Sequence, residues 1–255
     1  MYQLVNGVIV AGAGRWLRIS HVVEHPKSGG SWLRNMLQSY LGGPAYFYDR
    51  LVREKTVIQL HRLYRKIYCN PVVLFRDPRD MFTSFYYHEL RKAEPMVSPH
   101  FIHDPRRQLK EDFAKYLRSK LLYPIHPRFR FCEFVDSWYE RPGAFAVRYE
   151  DLLADCDVQL ASILEFLGEK VDSKKLRDVI AYHSFANETK RRYGVARQPG
   201  EGDSKSFQRK AISGDWKNIF NPDSCRLIQQ YEWRSIEKLN YEHDKSWIER
   251  FLSGN

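Results

Sequence analysis

The sequence predicts an α/β fold: a single domain with a mostly parallel central sheet, helices flanking that sheet, and a phosphate-binding turn. Short apolar segments alternate with longer segments whose apolar residues recur at helical spacing, which is typical of a parallel sheet covered on both faces. A lysine and two glycines stand between the first predicted strand and the first predicted helix, where an anion site is expected. The chain of 255 residues is long enough to bury one large core, so we expect one domain over 1–255.

Four strands are predicted from short apolar runs bounded by polar or turn-forming residues. They cover 19–24, 57–61, 71–76 and 144–149. Because helical segments follow three of these strands, we expect the sheet to be mostly parallel.

Four helices are predicted from apolar residues spaced three and four apart. They cover 31–41, 79–92, about 160–167 and about 223–240. The first helix should stop at the Gly42-Gly43 pair. The third should begin at an N-cap aspartate, Asp157, and end at Gly168.

The charge of the chain indicates an anionic partner. Lys and Arg number 41 and Asp and Glu number 31, which gives a net charge of +10 and suits nucleic acid, acidic lipid or a multiply phosphorylated small molecule. Most of the excess lies in 88–130 and 183–220. We interpret 88–130 and 186–213 as long loops with some helix that act as lid, acceptor and cofactor segments. A solvated basic face is the alternative for 88–130.

The cysteines and the first residues of the chain bear on the cellular compartment in which the protein is expected. The four cysteines form no CxxC pair, so a disulfide framework is not expected and a reducing cytoplasm is the simplest interpretation. The first residues lack the basic region of a signal peptide, and no apolar stretch approaches the roughly 20 residues of a membrane span. The histidine pairs lack further ligands at suitable spacing, so no metal site is predicted.

The strongest local signal is the run 25–32, HPKSGGSW, between a strand and a helix. Gly29 and Gly30 allow positive φ and close approach of the backbone to a ligand, and the helix that follows directs its N-terminal amides at the turn. Lys27 precedes the glycines, whereas the lysine of a Walker A loop follows them, which disfavours an ATPase or kinase. An ordinary turn with Ser31 as N-cap is the structural alternative.

Three further runs follow in order along the chain: 76–86 (RDPRDMFTSFY), 149–152 (YEDL) and 209–218 (RKAISGDWKN). Together with HPKSGGSW they resemble the motifs of sulfotransferases that use 3′-phosphoadenosine 5′-phosphosulfate (PAPS). The resemblance spans about residues 20 to 220, and it implies the sulfotransferase fold and sulfuryl transfer to an acceptor, without a metal, by in-line displacement. Adenosine 3′,5′-bisphosphate (PAP) would be the product.

The resemblance also implies roles for particular residues. Lys27 would stabilise the bridging oxygen of PAPS as the S–O bond breaks. The 5′-phosphate would bind to Ser28, Gly29, Gly30 and Ser31. The 3′-phosphate would bind to Arg76, Ser84, Arg209 and Lys210, and the adenine would contact Trp32, Tyr149 and Phe185.

A general base must take the proton of the acceptor. The resemblance places a histidine at the end of the strand before the Arg76 strand, and His61 holds that position. Imidazole exchanges a proton readily near neutral pH, which suits this role. His25 and His88 are the rivals, and a histidine that only caps the strand end is the structural alternative.

The sequence departs from the family pattern at three points. Gln59 stands where cytosolic enzymes carry a lysine near the transferring group, and Ala211 replaces a glycine after Arg-Lys. The segment after Phe220 lacks the short dimer motif of animal cytosolic enzymes, so their dimer is not carried over.

We expect the acceptor to be a small molecule, an alcohol or phenol first and a glycan or amine second, with no nucleic-acid partner. Two other functions stay open at this point. A P-loop nucleotide kinase would depend on Mg²⁺ and bind ATP. A non-catalytic polyanion binder would show strongly salt-dependent binding and no need for His61.

Overall fold

The computed structural model describes residues 2–43, 51–93, 105–124, 127–192, 194–195 and 210–254. Four strands form one parallel sheet, β1 (Ser20–Glu24), β2 (Val57–Leu60), β3 (Pro71–Phe75) and β4 (Phe145–Arg148), in the order β2-β1-β3-β4. The predicted parallel α/β sheet is therefore confirmed, with each strand within one residue of its expected bounds.

Eleven α-helices and one short 3₁₀ helix are present in the described ranges. The helices are α1 (Tyr2–Ala13), α2 (Gly30–Leu41), α3 (Pro78–Ala93), α4 (Pro105–Leu122), α5 (Phe131–Trp138), α6 (Tyr149–Ala154), α7 (Cys156–Phe166), α8 (Ser173–Tyr182), α9 (Phe185–Thr189), α10 (Pro222–Lys238) and α11 (Trp247–Ser253), and the 3₁₀ helix covers Asp215–Asn218. No helix of the described residues combines the length and the apolar character needed to cross a bilayer.

The chain divides into two units. The first comprises 1–75 and 137–212 and holds the whole sheet. The second comprises 76–136 and 213–255 and is helical in its described parts. Helix α5 crosses the boundary near its end.

The sheet of the first unit separates two apolar clusters. Val57 and Ile58 are neighbours in β2, yet Val57 belongs to the larger cluster with α2, α7 and α8, whereas Ile58 belongs to a smaller one with α1. Successive side chains of a strand point to opposite faces, which explains this division. The strands are thus buried on both faces, as a parallel sheet requires.

All four strands end at the same edge. β1 pairs in register with both neighbours, Val23 with Leu60 and Glu24 with Leu74, and β3 pairs Phe75 with Arg148. The residues that follow the strands therefore gather at this carboxyl edge, which is where α/β folds bind ligands.

Two local predictions need correction. Helix α7 begins one residue after Asp155, whose side chain accepts a hydrogen bond from the Val158 amide; Asp155 is therefore the N-cap, and Asp157 lies in the first turn. Much of the segment 88–130 is helix, because Phe113, Leu117 and Leu121 recur every four residues and bury one face of α4.

Candidate functional site

The loop after β1 presents the N-terminus of α2. The carbonyl of His25 accepts a hydrogen bond from the Ser28 amide (3.2 Å), and Lys27 and Gly29 have positive φ of 76° and 103°. Helix α2 then begins at Gly30, with Gly29 as N-cap. Ser31 thus lies within the first turn and is not the N-cap. This turn places the first amides of α2 at the loop, and those of Trp32 and Leu33 already donate to the Gly29 carbonyl.

Gly29 is required by both conformation and space. Its φ of 103° favours glycine, and a Cβ would lie 2.7 Å from Cδ2 of Tyr149. Tyr149 begins α6, directly after β4, and is nearly fully buried. The YEDL run, which follows β4, therefore packs against the loop that follows β1, although β3 lies between these two strands.

A buried hydroxyl lies within the loop. Ser28 is fully buried, and its Oγ has no hydrogen-bond partner among the described residues. A buried hydroxyl without a partner costs free energy. Its position in the turn before α2 suits a ligand that supplies an acceptor.

Glu24, the last residue of β1, is buried under the loop. Its Oε2 accepts a hydrogen bond from the Gly30 amide (2.5 Å), and its Oε1 accepts one from Nε2 of Gln59 (2.6 Å). Gln59 in turn accepts a bond from Oγ of Ser31 (3.2 Å). Burial raises the pKa of Glu24, while His61, the Gly30 amide, Gln59 and Lys27 oppose that shift.

His61 follows β2 at the same edge. Its Nδ1 lies 3.2 Å from the backbone carbonyl of Glu24. Because a carbonyl only accepts, Nδ1 carries the hydrogen, and Nε2 is the basic nitrogen of the neutral ring. Glu24 therefore joins the predicted base to the predicted phosphate loop.

Two of the three residues that are predicted to contact the adenine, Trp32 and Tyr149, contact each other. The rings of Trp32 and Tyr149 lie edge to face with centroids 6.2 Å apart, and Nε1 of Trp32 donates to the carbonyl of His183 (2.9 Å). Phe185 is buried, with the guanidinium of Arg191 5.2 Å from its ring centroid. Tyr149 also belongs to the larger apolar cluster, so it contributes to the core.

In the second unit, the RDPRD run joins the GDW run. The Asp80 carboxylate accepts hydrogen bonds from the amides of Gly214 (2.6 Å) and Trp216 (2.9 Å). Burial raises the pKa of Asp80, and the nearby Arg76 opposes the shift. Arg76 directly follows β3, and Ser84 lies in the second turn of α3, partly exposed. Asp80 thus fixes the GDW turn to the beginning of α3.

Arg79 is the centre of this unit's polar core. Its guanidinium pairs with Asp77 and Glu242, both at 2.7 Å, and lies 4.2 Å from the ring centroid of Trp216 and 4.9 Å from that of Trp247. Sequence reasoning overlooked Arg79, Asp80 and Glu24 as organising residues. An acidic residue at the end of a buried strand was the available signal for Glu24.

Lys210 and Ala211 belong to the RKA run. The Lys210 carbonyl accepts a hydrogen bond from the Gly194 amide (3.0 Å), and Ala211 has a φ of 53°. Arg209, the other predicted phosphate ligand of this run, lies outside the described residues. Ala211 thus adopts the left-handed conformation that glycine would adopt without strain.

Ala211→Gly is expected to stabilise the protein by about 0.5–1 kcal/mol, because a left-handed alanine is strained by more than the added chain entropy of glycine costs. Urea unfolding midpoints would measure the change. Ala161→Gly, within helix α7, is the matched control and should destabilise by about the same amount. A lower urea midpoint for Ala211→Gly than for the wild type would show that the left-handed conformation of Ala211 is not strained.

The comparisons with known proteins identify the family that these motifs resemble, and the matched family model covers the runs 76–86, 149–152 and 209–218. A model described as the sulfotransferase domain matches residues 50–239. Guinea pig (Cavia porcellus) sulfotransferase 1E1 is 26% identical over 162 residues, 60% of this chain and 49% of that protein. Human sulfotransferase 1E1 is 29% identical over 163 residues, 60% of this chain and 50% of that protein. The chain spans about half the length of the curated relatives it matches.

Solved structures show the same fold. Mouse sulfotransferase SULT7A1 complexed with PAP has a TM-score of 0.63 and 18% identity, over 97% of this chain and 95% of that one. Retinol dehydratase in complex with androsterone and PAP has a TM-score of 0.57 and 14% identity, over 92% of this chain and 85% of that one.

Proposed function

The chain belongs to the sulfotransferase domain family, and we propose that it transfers a sulfuryl group from PAPS to a hydroxyl or amine of a small acceptor. The observation that carries the proposal is the arrangement around Glu24. This residue contacts the amide of Gly30 through its side chain and Nδ1 of His61 through its backbone. The candidate phosphate-binding turn and the candidate base therefore both contact Glu24.

The loop suits the 5′-phosphosulfate of PAPS. It offers first-turn amides of α2, the buried Ser28 hydroxyl that has no partner among the described residues, and a lysine in the turn. Hydroxyl and amide donors together with a point charge are the groups that bind phosphate. Ser28, Gly29, Gly30 and Ser31 would hold the 5′-phosphate.

Lys27 and His61 would carry the chemistry. PAPS, when bound, supplies the sulfuryl group and a good leaving group, PAP. Lys27 neutralises negative charge on the bridging oxygen as it separates from sulfur. His61 accepts the proton of the acceptor through Nε2, and the Glu24 carbonyl orients the imidazole through Nδ1–H.

The remaining predicted ligands complete the proposal. Arg76 and Ser84, with Arg209 and Lys210, would bind the 3′-phosphate, because guanidinium and ammonium groups suit a dianion. Trp32, Tyr149 and Phe185 would bind the adenine. Residues 88–130 would shape the acceptor site and 186–213 the cofactor site, within one functional domain over 1–255.

The acceptor is proposed to be an alcohol or phenol. Related proteins carry names such as 3-beta-hydroxysteroid sulfotransferase, and the retinol dehydratase structure contains androsterone, which is a small alicyclic molecule. The four cysteines are free thiols, which suits the reducing cytoplasm that we propose as its compartment.

A thermal-shift comparison tests the proposed function. PAP should raise the melting temperature far more than ADP does, with or without Mg²⁺, because only PAP carries a 3′-phosphate for Arg76. Equal stabilisation by ADP would overturn the proposal, and stabilisation by ADP only with Mg²⁺ would favour the kinase. Strong salt-dependent binding to heparin without any response to PAP would favour the polyanion binder.

Arg76→Ala should weaken PAP binding by about 1.5–3 kcal/mol, the range for a hydrogen bond to a charged group. Titration calorimetry measures this change. Arg128→Ala removes an exposed arginine of the same unit and is the matched control, which should leave PAP affinity unchanged. Equal affinity of Arg76→Ala and the wild type would remove Arg76 from the site.

A further inference from the structure

Glu24 accepts hydrogen bonds as an ionised carboxylate does. Both of its oxygens receive bonds from N–H donors, Oε2 from Gly30 at 2.5 Å and Oε1 from Gln59 at 2.6 Å. Gln59 can donate in this direction because its own oxygen accepts from Ser31. Short bonds from nitrogen donors to both oxygens are typical of a charged acceptor. These donors therefore favour the ionised carboxylate, although burial acts in the opposite direction and raises the pKa of Glu24.

The Gly30 amide, which donates to Glu24, is also one of the donors that a phosphate bound at this loop would use. Gly30 is the first residue of α2, and its amide is among those directed into the loop. A Cβ at this position would overlap the Glu24 carboxyl group, so the carboxylate lies directly against the helix N-terminus. A bound phosphate and an ionised Glu24 would compete for this amide, and their like charges would repel.

Basic side chains of the described residues that favour the ionised form of Glu24 include Lys27 and His61, and His25 is its neighbour in the loop. On β2, the position facing Glu24 holds the neutral Gln59. On α2, the Gly30 amide faces it, and the Ser31 hydroxyl donates to Gln59; both groups are neutral. An added dianion would therefore make the ionised form of Glu24 much less favourable.

We propose that Glu24 takes up a proton when the nucleotide binds, and so changes from a competitor for the Gly30 amide into a neutral acid. The reaction is the addition of one proton from solvent to the carboxylate. The neutral acid releases the amide to the phosphate and gains an O–H that can donate to the same anion. Glu24 is thereby a positioning residue of the loop. This inference rests on the proposed function.

Linkage gives the sign of the effect. A group whose pKa is raised by binding takes up a proton in the interval between its free and bound values, and binding weakens as pH rises through that interval. The affinity for PAP should fall by as much as about 10-fold per pH unit there. The phosphates of PAP also titrate, so the signature of Glu24 is the difference between the wild type and Glu24→Gln.

Titration calorimetry with PAP, from pH 5.5 to 9, tests the inference. At each pH, paired buffers of different ionisation enthalpy yield the number of protons taken up. The wild type should take up more protons than Glu24→Gln, by as much as one, at the upper part of this range. Glu24→Gln should bind PAP more tightly there, by about 10-fold or more, because the amide keeps the shape and lacks the charge. Glu165→Gln, an exposed site on α7, is the matched control and should behave as the wild type.

Gln59→Lys is a second variant that does not alter Glu24. A lysine there would pair with Glu24 and keep it ionised, so the Glu24-dependent proton uptake should disappear. This variant keeps the inference testable if Glu24→Gln fails to fold. Equal proton uptake and equal affinity in the wild type and Glu24→Gln at every pH would overturn the inference. Unchanged proton uptake in Gln59→Lys would overturn it as well.

The outcome also separates this inference from the proposed function. Absence of PAP binding by the wild type would overturn the proposed function itself. Tight PAP binding by the wild type, without a contribution of Glu24 to proton uptake, would leave the proposed function intact and remove only the role of Glu24.

Discussion

Replacing His61 by alanine is expected to lower kcat by about 10²–10⁴-fold, the usual contribution of a positioned general base, while the affinity for PAP stays similar. The reason is the geometry of the ring. Nδ1 is held by the carbonyl of Glu24 at 3.2 Å, so the loss of the imidazole removes Nε2, the proton acceptor that we propose. The hydrogen bonds of Glu24 to Gly30 and Gln59 use its side chain and remain.

The measurement is steady-state turnover with PAPS and a phenol, combined with calorimetric PAP binding for each variant. His88→Ala, on α3, is the control, because it removes the same side chain from a rival position. Normal turnover of His61→Ala would place the base elsewhere, and His25→Ala would then be the next variant to measure. A loss of PAP affinity equal to the loss of kcat would indicate that His61 supports the loop and does no proton transfer.

The second large effect concerns stability in the helical unit. Glu232, on α10, is fully buried, and burial raises its pKa to about 8, although Ser235, the Cys132 amide and Arg130 favour the charged form. In the unfolded chain the same group ionises near its usual value of 4.5. Between these values the unfolded chain releases a proton that the folded protein keeps. The free energy of unfolding therefore falls as pH rises from about 5 to about 8, and the contribution of Glu232 is constant above that range.

Glu232→Gln should remove this decline. Each unit of pKa difference is worth about 1.4 kcal/mol, so at pH 8 the variant should exceed the wild type in stability by about 4 kcal/mol, and at pH 5 the two should differ by less than about 1 kcal/mol. Urea unfolding at both pH values measures the difference. Glu237→Gln, an exposed residue on the same helix, should show no such pH dependence. Parallel pH profiles of the wild type and Glu232→Gln would contradict the prediction.

The sequence was sufficient for the sheet and for the location of the loop. Strands buried on both faces are nearly continuous apolar runs, and this signal is local. Most of the other helices were not predicted individually: α1 has no charged residue to mark a polar face, and α4 lies in a strongly basic segment that was interpreted as long loops with only some helix. The N-cap of α7 was misplaced by two residues because two aspartates compete for it.

The sequence motifs located the candidate site, but they did not predict which side chains contact one another there. The position of His61 after β2 followed from the order of strands and motifs. The role of Glu24 did not, because it depends on which donors surround a buried carboxylate, and these come from α2 and β2. Gln59 looked like a lost charge in the sequence. In the structure it bridges Glu24 and Ser31, and this pairing is visible only when strand register is known.

The two hydrogen bonds from the GDW turn to Asp80 have a consequence for engineering. They fasten together residues 80 and 216, which are separated by more than half of the chain. The stretch between them includes β4 and helices α6 to α8, which contribute to the core of the first unit. A chimaera of two relatives should therefore take the aspartate and the turn from the same parent.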